Sequence, residues 1–430
     1  MRIATTLCCA LLLLFGCASH TQAQSSLREA VKDIPVAEHW IYDDLPRAVE
    51  EAKRSGKPLL VVLRCVPCPP GKALDEAVAT PSPELAEIEK QFVCVRVIKT
   101  NGLDLDLFQY DFDMSWSTMF FNASDMTIYG RFGTRYSTGK GSDANLTVAA
   151  FQKAAERVLA LHKEYPANKS ALAGKTGKPV EWKKPELTPG LTEYPVVVTK
   201  RQECIHCHMV KEHALRTKWQ QGKLTETDLF LFPAPAQIGL KLDIEDGLKV
   251  EAVGEGSPAA AAGAKVGDVL VAAGGQPLVS TSDLTWVLHT SPSETTLPVV
   301  VRRGSENVEL KLTLEGDWKR SDIGWRASSW FALRQGFKTE PLAAEAKKSR
   351  GLAADAMALE VKGLYGKSGP HLKKFDVRQG DVIVGVGDRT DIVSESEFLV
   401  HLRTKHGPND SVKLTVLRGN ERKELNIPLW

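Results

Sequence analysis

After its first two dozen residues the sequence has no apolar run long enough to cross a bilayer. It also lacks any block of like charge. Lys and Arg number 55 against 53 Asp and Glu, a formal charge of +2, which argues against nucleic acid as a partner. No Gly-x-Ser-x-Gly stretch or other context for a serine nucleophile occurs, which argues against a serine protease. Cysteine is scarce in the body of the chain. Of eight, Cys8, Cys9 and Cys17 fall in the first 23 residues, leaving Cys65, Cys68, Cys94, Cys204 and Cys207. Two close pairs and a single do not make a disulfide scaffold. In an oxidising compartment, close pairs read as redox or cofactor groups.

What is present is a chain of 430 residues, 43% hydrophobic and 25% charged, the composition of soluble globular protein and the length of about three domains. Residues 1–23 read as a signal peptide. Met1-Arg2 is basic, Leu7 to Phe15 is an apolar core, and Thr21-Gln22-Ala23 offers the small residues of a cleavage site. The expectation is an exported protein, periplasmic or in the cell envelope. Leu14-Phe15-Gly16-Cys17 gives a second reading, a lipid anchor at Cys17.

Lys57 to Cys68 forms the centre of the first region. Leu59 to Leu63 is a short Leu/Val run that predicts a core strand. It leads into Cys65-Val66-Pro67-Cys68, a pair spaced for thiol–disulfide exchange. A helix N-terminus and Arg64 would favour thiolate at Cys65. Pro69-Pro70 would delay that helix to about Lys72. A static disulfide and half of a zinc site are the other readings. Around the pair, the spacing predicts a helix over 45–54, a broken helix over 73–91 and a strand over 92–97. A strand pair at 118–121 and 126–129 and a helix over 145–163 follow. Cys94 reads as a small buried apolar residue. The order of elements and the place of the dithiol resemble the thioredoxin fold over 37–165. Arg64 stands where thioredoxins have Trp, and Ser117 where they have a cis-proline.

Residues 166–200, rich in Lys, Pro, Thr and Gly, read as a linker. The segment 201–235 holds Cys204-Ile205-His206-Cys207-His208, the Cys-x-x-Cys-His pattern of covalent haem c. Cys204 and Cys207 would bond the vinyl groups and His208 the iron. His206, Met209 and His213 are too close in sequence to His208 to supply the far-side ligand. A zinc site of Cys204, Cys207, His208 and His213, or a second dithiol, are the alternatives.

The C-terminal half repeats. Val266-Gly267-Asp268-Val269-Leu270-Val271 returns as Gln379-Gly380-Asp381-Val382-Ile383-Val384. Each copy continues into a helix opened by Ser and acidic residues and ends in strands around Arg303-Gly304 or Arg418-Gly419. The copies, 236–318 and 325–430, resemble bacterial PDZ domains. That resemblance implies capture of peptide C-termini at Ile238-Gly239-Leu240 and, less clearly, at Gly336-Phe337. Trp286, Leu288 and His289 would face the first groove, and Leu399 and Leu402 the second, unless they are simply core.

The expected fold class is multidomain, α/β plus mainly β: a thioredoxin-like domain followed by two PDZ domains. The whole order resembles a family of exported thioredoxin-like/PDZ proteins of environmental bacteria such as planctomycetes, some with selenocysteine at the position of Cys65. The resemblance implies that Cys65 attacks and Cys68 resolves. The first expectation is therefore a thiol–disulfide oxidoreductase, with haem c relaying electrons and the PDZ pair recruiting protein partners. The second is a non-catalytic PDZ adaptor whose dithiol is a fixed bridge and whose Cys-x-x-Cys-His binds zinc or closes a disulfide.

Overall fold

A computed structural model describes residues 27–66, 72–80, 82–134, 147–366 and 368–430. Residues 1–23, read above as a signal peptide, and with them Cys17, lie outside the described residues, as does Cys68. The chain divides into two compact units, Met1–Val210 with Phe232–Lys319, and Lys211–Leu231 with Arg320–Trp430.

The first unit is built on a five-stranded sheet in the order β1-β3-β2-β4-β5. Its strands are Trp40–Tyr42, Leu59–Arg64, Val93–Val97, Trp116–Phe121 and Ile128–Thr134 (β1 to β5). β2 is parallel to β3 and antiparallel to β4. Every residue of β2 is buried, because each face of the sheet has its own cover. Leu60 and Val62 pack with Trp116, Phe120 and Phe151. Leu59, Val61 and Leu63 pack with Ala48, Phe108 and Phe121. A strand covered on both sides must read as an unbroken apolar run, as 59–63 does.

The helices of this domain are Leu45–Ser55, Lys72–Ala79, Pro83–Glu89 and Val148–Glu164 (α1 to α4). α1 starts where Asp44 accepts from the Arg47 amide and ends at Gly56, with φ +68°. Residues 166–200 are laid along the domain. Leu191 is buried in its core, Gln109 donates to the Lys178 carbonyl at 2.8 Å, and Asp106 accepts from the Val180 amide at 2.8 Å.

The same unit contains the first C-terminal copy. Leu240–Leu242 and Val250–Val253 (β6, β7) pair as a hairpin. Val269–Ala273, Gln276–Pro277, Thr295–Arg303 and Glu306–Leu314 (β8 to β11) form a sheet in the order β11-β10-β8-β9. The helix Thr281–Thr290 of this copy (α6 below) lies on β5. Asp283 accepts there from the Arg131 amide at 3.0 Å and from Lys175 Nζ at 2.7 Å. Gly130 makes the approach fit: a Cβ there would stand 2.2 Å from Val279 Cγ2.

The helix Cys207–Gln220 (α5) starts in the first unit and ends in the second. The second unit has a five-stranded antiparallel sheet in the order β12-β13-β14-β15-β16. Its strands are Phe337–Pro341, Leu359–Leu364, Val382–Val386, Ser411–Arg418 and Glu421–Pro428. The helix Glu395–Lys405 (α7) belongs to it. Leu215 and Trp219 of α5 join its core.

The repeated Gly-Asp signature has a physical cause. Asp268 accepts from Arg303 Nε at 2.8 Å and Nη2 at 2.7 Å, and from the Lys265 amide at 2.9 Å. Asp381 repeats this with Arg418 Nε at 2.8 Å, Nη2 at 2.9 Å and the Arg378 amide at 2.9 Å. Gly267 and Gly380 both have φ +87°, a left-handed value that disfavours side chains with a Cβ. The spacing that repeats is therefore that of a buried carboxylate held by the arginine that ends a later strand of the same sheet.

Candidate active site

β2 ends at Arg64, and Cys65 is the next residue. Arg64 turns inward, donating through Nε to Asp75 at 3.1 Å and through Nη1 to the carbonyls of Cys65 and Ser115. Asp75 also takes the Trp116 indole N–H at 3.0 Å and Arg96 Nη2 at 2.9 Å. Arg96 in turn binds Asp33 at 2.9 and 2.7 Å. Two guanidiniums and two carboxylates thus balance beneath the strand end, as buried charges must. The expected role of Arg64 changes accordingly: its charge answers Asp75. The group set against the Cys65 sulfur is an imidazole, with His206 Nδ1 at 3.2 Å. Register also corrects the position of Ser117, which pairs with Leu63 inside the sheet. Arg64 pairs with Trp116, so Ser115 is the residue that flanks Cys65 beyond the strand start.

His206 reaches Cys65 because its loop is tied down. The Thr100 hydroxyl donates to the Ile205 carbonyl at 2.7 Å. Asn101 accepts from the Ile205 amide at 2.9 Å and donates to the carbonyls of Pro195 at 2.6 Å and Glu203 at 3.2 Å. These contacts bring Cys65 and the second cysteine pair to one small cleft of about 20 Å³, lined among others by Leu63, Cys65, Val97, Cys204, His206 and Cys207. Cys65 and Cys207 are each 6% exposed and Cys204 is 8%. The Tyr110 hydroxyl donates to Cys207 Sγ at 3.3 Å. Burial, then the neighbouring Cys207 and Cys65, push the Tyr110 phenol well up, so it stays a donor. Burial raises the Cys204 thiol. Cys94, shut into the core, is raised well above the ordinary thiol range, as suits an inert residue.

The surroundings of Cys204, Cys207 and His208 do not fit haem c. A porphyrin bonded to both sulfurs needs one open face along both, with His208 on that face. Instead Cys204 packs with Leu27, Val31, Tyr42, Ile98 and Val198, and Cys207 packs in a different apolar cluster and meets Tyr110. His208 is half-buried, its ring centre 5.8 Å from that of His206. Among the described residues no three Cys, His, Asp or Glu side chains gather closely enough to hold a metal ion, the zinc set with His213 included.

In the first repeat, Ile238 and Leu240 are core residues flanking Gly239, which has φ +84°. Trp286 is not a groove residue. It is 3% exposed; its indole donates to the Gly174 carbonyl at 3.0 Å and its ring carries the Arg131 guanidinium at 3.8 Å. It therefore docks the helix on the thioredoxin-like domain. Leu288 is core. His289 stacks on Phe232, ring centres 4.3 Å apart.

In the second repeat, Phe337 packs near Phe398, ring centres 6.2 Å apart, after Gly336. Leu399 and Leu402 are core. β12 is an edge strand, but its Thr339 amide already donates to Glu395 Oε1 at 2.9 Å. Glu395 is also held by Arg334 Nε at 3.0 Å. At the other end of α7, Arg403 donates to the Leu333 carbonyl at 2.8 Å and to the Gln335 side-chain oxygen at 2.7 and 3.0 Å, under the ring of Trp219. Burial, then Arg216, lowers the Arg403 guanidinium to about 9.

Comparison with known proteins agrees with this anatomy. Residues 40–123 match the family described as thioredoxin-like, and residues 236–314 and 362–429 match the PDZ domain family. The chain is a thioredoxin-like domain followed by two PDZ domains. Similar curated proteins include a "Probable periplasmic serine endoprotease DegP-like" of Pseudomonas savastanoi pv. phaseolicola, 30% identical over 183 residues, covering 41% of this chain and 36% of that one. Its namesake in Pseudomonas putida is 31% identical over 182 residues with the same coverage, 41% and 36%. This chain therefore spans about a third of the length of these relatives. Among solved structures, the serine endoprotease of Yersinia pestis matches with TM-score 0.16 at 30% identity, over 16% of this chain and 26% of that one. The HtrA3 PDZ domain bound to a phage-derived ligand matches with TM-score 0.15 at 28% identity, over 18% and 72%. The second PDZ match starts only at residue 362. β12 and its Gly336-Phe337 loop lie before that point, where the sequence signal is weakest.

Proposed function

We propose that the chain is an exported thiol–disulfide oxidoreductase in which Cys65 attacks, and that its PDZ domains recruit protein partners. One observation carries the reading: Cys65, at the end of a buried strand, opens on a cleft with an imidazole nitrogen 3.2 Å from its sulfur. A histidine at that distance can accept the thiol proton on attack and return it to the leaving thiolate. Export is supported by the pattern of residues 1–23 and by the word periplasmic in the names of the relatives. Among the described residues no helix is long and apolar enough to cross a membrane. The test is turnover of a small aromatic disulfide by the full chain. Wild type is expected to turn over with a thiol reductant present, and Cys65→Ser to lose the activity; equal rates in both would remove Cys65 from the chemistry.

A protein-binding adaptor is the second reading, favoured by the two PDZ copies. It predicts that Cys65→Ser leaves partner capture and every other activity of the chain unchanged.

A further inference from the structure

Cys65 and the Cys204–Cys207 pair, about 140 residues apart in sequence, line one cleft, and the thioredoxin-like reading uses only the first of them. We propose that Cys207 resolves the mixed disulfide formed on Cys65, closing a transient Cys65–Cys207 bond between a strand end and a helix start. The proposal rests on Cys65 being the attacking thiol.

Four observations point to Cys207. Its neighbour His206 has a ring nitrogen 3.2 Å from the Cys65 sulfur, and Cys207 lines the same cleft as Cys65. Cys207 opens a helix of 14 residues, whose N-terminal amides favour thiolate. The Tyr110 hydroxyl, a second stabilising group, donates to its sulfur at 3.3 Å. Finally, Thr100 and Asn101 hold the loop in place, so Cys207 is presented in a fixed geometry. Cys204 packs in a separate apolar cluster with Val31, Tyr42, Ile98 and Val66, while the Tyr110 hydroxyl meets Cys207.

The chemistry balances. Cys65 attacks a substrate disulfide R–S–S–R′. Its proton passes to His206 and then to R′–S⁻, which leaves as R′SH, and Cys65–S–S–R remains. The Cys207 thiolate attacks the Cys65 sulfur, the bond to R breaks, and R–S⁻ takes up the proton that Cys207 released. Two protein thiols are oxidised to one disulfide, and one substrate disulfide is reduced to two thiols. Tyr110 keeps its proton throughout.

The test uses the full reduced chain with Cys68→Ser, which removes the neighbouring competitor, and a stoichiometric aromatic disulfide whose thiol product is coloured. The expected result is release of two thiol equivalents, a Cys65–Cys207-linked peptide on acid quenching, and an unlinked aromatic adduct at Cys65 when Cys207→Ser is added. Tyr110→Phe should slow the second release and leave the first unchanged. One equivalent released, with the aromatic adduct persisting on Cys65 in Cys68→Ser, would overturn the role of Cys207. No adduct and no thiol release from Cys65 would overturn the underlying reading instead.

Discussion

Cys65 and Cys207 reach the same cleft from opposite kinds of backbone. Cys65 ends a strand buried on both faces, with a balanced ion cluster behind it. Cys207 begins a helix, and its loop is held by neutral hydrogen bonds from Thr100 and Asn101. The strand side is fixed by charge that tolerates no loss. The helix side is held by buried neutral hydrogen bonds, each of which costs less to lose than the partner of a buried charge. Such a pairing suits exchange: both sulfurs are held at the cleft, one by buried charge and the other by buried neutral hydrogen bonds.

Substitutions can break this comparison one side at a time. The largest effect is expected on the strand side. Asp75→Ala leaves Arg64 and Arg96 buried without their shared carboxylate and should cost about 3–5 kcal/mol, read by urea unfolding. A loss below 1 kcal/mol would mean that water reaches the cluster. His206→Ala joins the two sides; it should slow alkylation of Cys65 by roughly 10²-fold with little change in unfolding midpoint. Asn101→Ala acts on the helix side alone. It removes hydrogen bonds to three backbone groups and should cost about 1–3 kcal/mol. Alkylation of Cys207 should rise with it, while Cys94, deep in the core, stays unreactive.

The two PDZ copies show the same contrast in miniature. In the second, Glu395 occupies the edge amide of Thr339, where an added strand would pair. At the matching helix position the first copy has Thr281, whose hydroxyl donates to the Gly247 carbonyl. Glu395→Ala should therefore raise capture of C-terminal peptides by the second copy and leave the first unchanged, measured by fluorescence anisotropy. The smallest effect concerns acid. Hydrogen bonds from Arg303 hold the Asp268 carboxyl below the usual carboxylate range. A depressed folded value adds stability above the unfolded value and loses it as pH falls through the folded one. Asp268→Asn should thus cost about 1 kcal/mol near neutrality and flatten the loss below about pH 4 in thermal melts.

Much of the architecture was legible in the chain. The Leu59–Leu63 run and the Gly-Asp repeats each have one dominant physical cause, burial on two faces and a buried carboxylate, that leaves a local pattern. The site was legible only in part. The sequence singles out Cys65 but gives His206 no role, not even as a far-side haem ligand, because nothing local says that a loop 141 residues away is tied beside Cys65. The resemblance to PDZ domains puts Trp286 at the peptide groove or in the core, because a helix face seen in sequence does not say what covers it. One trace of its true neighbour is Gly177, where a Cβ would stand 2.9 Å from the Trp286 ring.

The most direct measurement is the redox state of Cys65 in the full chain, equilibrated in buffers of graded thiol–disulfide potential, acid-trapped and mapped by mass. The account predicts that Cys65 passes from thiol to disulfide within the range of exchange proteins, about −270 to −120 mV. A Cys65 that stays thiol throughout, or is locked in a disulfide with a potential below about −300 mV, would contradict it.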